Sequence, residues 1–145
     1  MSVHSVSIRV RYAETDQMGV VYYANFFVWF EIGRVELMRA LGFDYKRIES
    51  EDRCLLPVVE ANCRYRSPAR YDDLLTLETR VMNQRPSMVR FGYRLLRPVE
   101  GAASLLLAEG ETVHVVVDPK MQKAVLPERL AVALKTMHAE MAAIA

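Results

Sequence analysis

The chain is short of the residues that staple or rigidify small proteins. Its 145 residues include two cysteines, Cys54 and Cys63, too few for a disulfide scaffold and too widely spaced for a paired metal motif. His4, His114 and His138 are scattered with no partner at ligand spacing, so no metal is expected. An excess of one charge is missing too: nineteen basic against eighteen acidic residues leave +1. No whole-chain field would draw this protein to nucleic acid or to an anionic membrane. Apolar runs stay far below the roughly 18 residues of a membrane span; Phe26 to Phe30, for example, is closed by Asn25 and Glu31. The opening MSVHSVSIRVRY alternates and carries arginines, unlike the unbroken apolar stretch of a secretory signal, so a cytoplasmic location is expected. Glycine and proline number six each, which excludes fibrous and low-complexity classes. With 52% hydrophobic residues, what is present suits one globular domain over residues 1–145.

Period-two alternation dominates the chain. Val6, Ile8, Val10 and Tyr12 alternate with Ser5, Ser7, Arg9 and Arg11, which predicts a half-buried strand. The pattern returns in Val59, Ala61, Cys63 and Tyr65, in Leu75 to Val81, and in Val89 to Leu95. A fifth strand is expected from about Ser104 to Val117, with Gly110 as a bulge or bend. Turn residues punctuate the sequence at Ser67-Pro68 to Asp72-Asp73, at Arg85-Pro86-Ser87 and at Pro98 to Gly101. Short connections between the later strands favour an antiparallel meander, since parallel pairing needs long crossovers. Two segments change period. Asn25 to Leu41 predicts a helix with Asn25 as N-cap and Gly42 as stop, and its first half is apolar nearly all round, so it should be buried. Pro127 to about Ala143 predicts a terminal helix with a stripe of Leu130, Leu134, Met137 and Met141. The fold class expected is α+β, an antiparallel five-stranded sheet around a central helix, plus a C-terminal helix.

The chemically informative stretch is Tyr12 to Glu36, YAETDQMGVVYYANFFVWFEIGRVE. It sets an acidic cluster and a glycine turn directly before the buried helix. Helix N-termini present unpaired N–H groups and the positive dipole end. Such donors polarise a carbonyl and stabilise the oxyanion that forms on attack. A neighbouring carboxylate, Asp16, could attack directly or activate water. The residues alone leave a plain alternative open, in which TDQMG is an ordinary loop with an Asx-type turn.

Tyr12-Ala-Glu-Thr-Asp16-Gln-Met-Gly19-Val-Val-Tyr22-Tyr23-Ala-Asn25-Phe-Phe-Val-Trp29-Phe-Glu31 resembles the signature of hot dog-fold acyl-CoA thioesterases, in particular the 4-hydroxybenzoyl-CoA thioesterase family. Tyr71-Asp72-Asp73-Leu-Leu-Thr76-Leu-Glu78-Thr79 resembles the same family's turn and third strand, and the likeness extends over residues 5 to 118. The resemblance implies a hot dog fold and hydrolysis of an acyl-CoA to the free acid and CoA. It implies catalytic roles for Asp16, as nucleophile or general base, and for Tyr23, whose backbone N–H would meet the thioester carbonyl. Glu31 matches a helix carboxylate near the far end of the acyl group, where the hydroxybenzoyl branch carries aspartate; Tyr22 and Trp29 complete the expected substrate contacts. Arg85 and Ser87 stand in the turn where relatives place basic residues for CoA phosphates, with Arg64 and Arg66 as further candidates, although a solvated turn arginine explains Arg85 as well. No cofactor is implied beyond the CoA of the substrate. A homodimer, often doubled to a homotetramer, is implied, with each active site at a subunit interface. An aryl or short-to-medium acyl group fits the aromatic crowding before the helix. A non-catalytic acyl-CoA-binding module and an acyl-carrier-protein thioesterase are the alternatives; a hot dog dehydratase would want a histidine near the helix, and none is placed for it. His114 is expected to be a satisfied sheet residue, and Cys54 and Cys63 to be small buried fillers rather than nucleophiles.

Overall fold

The computed structural model describes residues 2–144, with side chains to residue 140. Five strands, β1 (His4–Arg9), β2 (Val58–Tyr65), β3 (Leu74–Arg85), β4 (Met88–Arg97) and β5 (Leu105–Val115), form one antiparallel sheet in the order β1-β3-β4-β5-β2. The meander expected from the short turns is β3-β4-β5. The two earlier strands close it at either side, so β2 forms a free edge beside β5. Three helices accompany the sheet: α1 (Asn25–Ala40), α2 (Tyr45–Glu51) and α3 (Glu128–Ile144).

Alternation explains how the sheet makes its core. Leu75, Leu77, Thr79 and Val81 of β3 are fully buried, as are Val89, Phe91 and Leu95 of β4, with Tyr93 nearly so. Helix α1 can lie close on β3 because residue 33 is glycine. A Cβ there would collide with Thr79 Oγ1 and come 2.7 Å from Leu77 Cδ2. Phe30 stacks flat on Tyr93, ring centroids 4.2 Å apart and planes 4° from parallel. Helix α3 buries Leu130, Leu134 and Met137; the side chain of Met141 lies outside the described residues.

Five expectations need correction. Gly110 makes no bulge; it pairs in register with Cys63 and Tyr93, and glycine is needed because a Cβ would collide with Asn62 O and meet Phe30 Cε2 at 2.9 Å. The first strand stops at Arg9, and Tyr12, 77% exposed, opens a 3-10 turn (Tyr12–Glu14). Asn25 is not the N-cap of α1. Ala24 holds that position, while the Asn25 side chain reaches back to the carbonyl of Glu14. Helix α1 is not covered all round, since Val28 and Ile32 are 51% and 41% exposed. Helix α2 went unforeseen: about two turns long and capped by Asp44 accepting from Lys46 N, it buries only Ile48 and so carries no periodic stripe.

Candidate active site

The site grows from the loop between the 3-10 turn and α1. Glu14 is 5% exposed, and its carboxylate is fully engaged. Oε1 accepts from the Arg11 N–H at 2.8 Å and lies 3.5 Å from the Arg11 guanidinium, while Oε2 accepts from the Trp29 indole N–H at 2.7 Å. Its backbone carbonyl takes the Tyr22 N–H and the Asn25 side-chain amide, both at 2.9 Å. Burial by itself would raise the Glu14 pKa; the donors from Arg11 and Trp29 outweigh it and hold the carboxyl below its ordinary value. Glu14 thus pins the loop start to the body of α1.

Beyond Glu14 the chain turns back on itself. Thr15 bridges Val21, the Asp16 N–H donates to Val20 O at 2.9 Å, and the Gly19 N–H donates to Asp16 O at 3.0 Å. Gly19 has φ +78, a conformation that side chains with a Cβ adopt with strain. Asp16 Oδ1 accepts from the Met18 N–H at 2.8 Å, the Asx turn anticipated from the sequence. Its other oxygen has no hydrogen-bond partner among the described residues. The loop interpretation and the catalytic one are therefore compatible: one oxygen shapes the turn, and the second is available.

The loop leads into the first turn of α1, where Asn25, Phe26 and Phe27 N–H groups donate to the carbonyls of Tyr22, Tyr23 and Ala24. The N–H groups of Tyr23 and Ala24 find no acceptor among the described residues, as expected of a helix start. Asp16 and Tyr23 line one cavity of about 330 Å³ together with Phe26, Tyr65, Arg66 and Pro68, its wall being chiefly apolar. A carboxylate, unspent N–H donors and an apolar wall in one place are the components of acyl transfer.

Residues 10–134 match the thioesterase-like superfamily. YneP of Bacillus subtilis (strain 168) is 37% identical over 125 residues, 86% of this chain and 87% of its own length. The acyl-CoA thioester hydrolase YbgC of Escherichia coli O6:H1 is 33% identical over 129 residues, 88% of this chain and 92% of its own. The chain belongs to the thioesterase-like superfamily. It is a thioester hydrolase of the hot dog fold, and the solved 4-hydroxybenzoyl CoA thioesterase from Pseudomonas sp. strain CBS-3 shares that fold, with TM-score 0.82 over 92% of this chain and 99% of the other at 20% identity.

The remaining candidates of this thioesterase are dispersed. Trp29 does not reach the cavity: it is 1% exposed, and its indole N–H is spent on Glu14, so it braces the loop from below. Tyr22 lies beside Tyr23, ring centroids 4.7 Å apart, with its own ring outside the cavity. Glu31 is exposed two helical turns beyond Tyr23, about 12 Å along the axis. Arg85 and Ser87 stand at the opposite end of the sheet. Val58 is level with Val89 beside their turn, whereas Tyr65 is level with Leu95, about 20 Å along the strands. The Ser87 hydroxyl donates to Ala124 O at 2.7 Å. Within one chain the cation at the cavity is Arg66 instead, paired with Glu109 at 2.6 Å.

Glu14 and Tyr65 escaped the sequence reading as site residues. The first looked like part of an acidic loop, the second like the apolar face of a strand. A second depression of about 260 Å³, lined by Arg64, Arg80, Arg94, Glu109 and Glu111, holds no nucleophile, and Arg80 and Arg94 already pair with Glu78. His114 is the satisfied sheet residue expected, 1% exposed and bonded to Thr112 Oγ1 and Leu56 O. Burial lifts the thiol of Cys54 to about 11 and pushes that of Cys63 up, which leaves both poor nucleophiles at neutral pH.

Proposed function

We propose that this protein hydrolyses an aryl or short-to-medium-chain acyl-CoA to the free acid and CoA, with Asp16 as the working carboxylate. The observation that carries this reading is that Asp16, with one oxygen unspent, and Tyr23, with its N–H unpaired among the described residues, line one apolar cavity. A thioester has little resonance stabilisation and a good leaving group. Orientation, a preorganised donor and one carboxylate are then enough to lower the barrier substantially. In this scheme the thioester carbonyl oxygen sits against the N-terminus of α1. Asp16 either takes a proton from a water that attacks the carbonyl carbon, or attacks it directly to form an acyl-aspartyl anhydride that water then hydrolyses to the free acid and the restored carboxylate; in both routes the C–S bond breaks and CoA leaves as its thiolate. The names of YbgC and of the 4-hydroxybenzoyl-CoA enzyme support the CoA ester, and the rings of Tyr23, Phe26 and Tyr65 support a flat or compact acyl group.

The working unit we propose is at least a dimer, paired through β2. That strand is one of the two edges of the sheet, and Val59 is 58% exposed although it belongs to the apolar set of the strand. Two-fold antiparallel pairing centred near Ala61 and Asn62 would set the Val58 end of one copy beside the Tyr65 end of the other. Arg85 and Ser87 of one copy would then stand near the Asp16 cavity of its mate, where they could meet CoA phosphates; Glu31 would face the acyl end. The test is free-thiol release from a panel of aryl- and alkyl-CoA esters, with acyl-carrier-protein thioesters as a second arm. Turnover of compact acyl-CoAs is expected. Turnover of carrier-protein esters alone would reassign the substrate, and no turnover of either would overturn the reading. In the same panel Glu31→Gln should change the ranking of the aryl esters.

A further inference from the structure

Tyr65 is the last residue of the edge strand β2, yet its side chain crosses to the start of α1. Its ring stacks on Phe26, with centroids 5.0 Å apart and planes at 28°, and meets the Tyr23 ring edge-on at 6.3 Å. Its hydroxyl donates to the Tyr23 carbonyl at 3.0 Å. The same carbonyl receives the Phe26 N–H at the longer distance of 3.3 Å, and the Tyr22 carbonyl receives the Asn25 N–H at 2.9 Å.

Both peptide planes that flank the Tyr23 Cα are consequently held by their carbonyls. The Tyr22–Tyr23 plane carries the Tyr23 N–H, and the Tyr23–Ala24 plane carries the Ala24 N–H; neither donor has an acceptor among the described residues. With both planes fixed, the dihedrals at Tyr23 are fixed, and so is the direction in which its N–H points. A bond accepted at a peptide oxygen also polarises the N–H of the same peptide, which here is that of Ala24. Burial, reinforced by Cys63 and Tyr23, pushes the Tyr65 phenol up to about 12, so it remains a protonated donor throughout the neutral range.

We propose that Tyr65 is a positioning residue for thioester hydrolysis, its hydroxyl holding the Tyr23 carbonyl so that the N–H donors at the start of α1 are aimed at the substrate carbonyl. This rests on the acyl-CoA reading above and extends it: the edge strand is tied to the carbonyl-polarising donors through one hydroxyl. Disturbance of the β2 end would then reach the chemistry without touching Asp16.

Tyr65→Phe tests the proposal because it keeps the stacked ring and removes only the hydroxyl. One neutral hydrogen bond lost from a preorganised donor predicts a fall in kcat of about tenfold. KM should stay within about twofold, because the fault lies in transition-state stabilisation rather than uniform binding. The melting temperature should barely move, since the Phe26 N–H still reaches the carbonyl. A spectroscopic readout separates aim from general loosening. The thioester carbonyl stretch of an aryl-CoA bound to Asp16→Asn should move back toward its free-solution frequency when Tyr65→Phe is added. Wild-type turnover with unchanged kcat in Tyr65→Phe would overturn the positioning role alone, as would a loss confined to KM or an unshifted carbonyl stretch. Absence of wild-type turnover on every thioester would overturn the functional reading and this role with it.

Discussion

At the scale of single residues, the site depends on polar groups whose bonding is divided between structure and chemistry. Asp16 gives one oxygen to an Asx turn and keeps the other, whereas Glu14, two residues earlier, gives everything to structure. The sign of the Glu14 linkage follows from its lowered pKa. The carboxylate stabilises the fold fully above about pH 4.5, its ordinary value, and that contribution disappears as pH falls through the lower folded value. Glu14→Gln should thus be less stable than wild type at pH 7, by about 1–3 kcal/mol for a disrupted buried network, with the gap narrowing at acid pH. Denaturant midpoints measured at pH 7 and pH 3 would check this. His114 supplies a second acid-sensitive term. Desolvation, with Arg34 adding to it, lowers its pKa from 6.5 to about 4, so the unfolded chain takes up the proton first and stability is lost from about pH 6.5 down to 4. Replacing His114 with Gln should flatten that part of the pH–stability curve.

At the scale of elements, the five strands and the helices α1 and α3 were legible because their periods are local. Val6-Ile8-Val10 or Leu75-Leu77-Thr79-Val81 declares a half-buried strand without any knowledge of its neighbours. Helix α2 was not legible, having one buried side chain and no stripe. Gly110 was misjudged because its reason is a contact with Phe30, eighty residues away in sequence, rather than a local bend. Glu14 and Tyr65 were missed for the same reason. Their partners Trp29 and Tyr23 lie 15 and 42 residues away, and nothing in an alternating pattern encodes such bonds. Asp16 and Tyr23 could be named as candidates from the sequence because the resemblance covers a whole motif. The close approach of α1 to β3 yields a direct prediction. Gly33→Ala improves helix propensity by about 1 kcal/mol but forces a methyl onto Thr79 and Leu77. Overpacking should win, with a net loss of about 1–3 kcal/mol visible in chemical denaturation. A more stable Gly33→Ala protein would show that α1 shifts freely on the sheet.

At the scale of the whole molecule, one chain holds the carboxylate and the donors but leaves the flank of α1 and the edge of β2 uncovered. Among the described residues no helix is long and apolar enough to cross a membrane, and no three His, Cys, Asp or Glu side chains form a metal-binding group. A charge at Val59 should cost a lone chain little, because that side chain is 58% exposed. In a β2-paired dimer it would fall on the seam. Val59→Lys should therefore elute as a smaller species with its fold intact and with turnover reduced at least tenfold, as the Arg85 end of the mate is withdrawn. Unchanged elution and turnover would place the interface elsewhere.

Asp16, beside the start of α1, is the carboxylate we propose to drive thioester cleavage. The most direct test compares CoA release and acyl-CoA binding in wild type and Asp16→Asn, which can keep the Asx turn through its amide oxygen. Loss of a general base or nucleophile predicts a kcat lower by about 10²–10⁴-fold, with the dissociation constant for the ester nearly unchanged. An Asp16→Asn enzyme that releases CoA at the wild-type rate would rule Asp16 out as the working carboxylate.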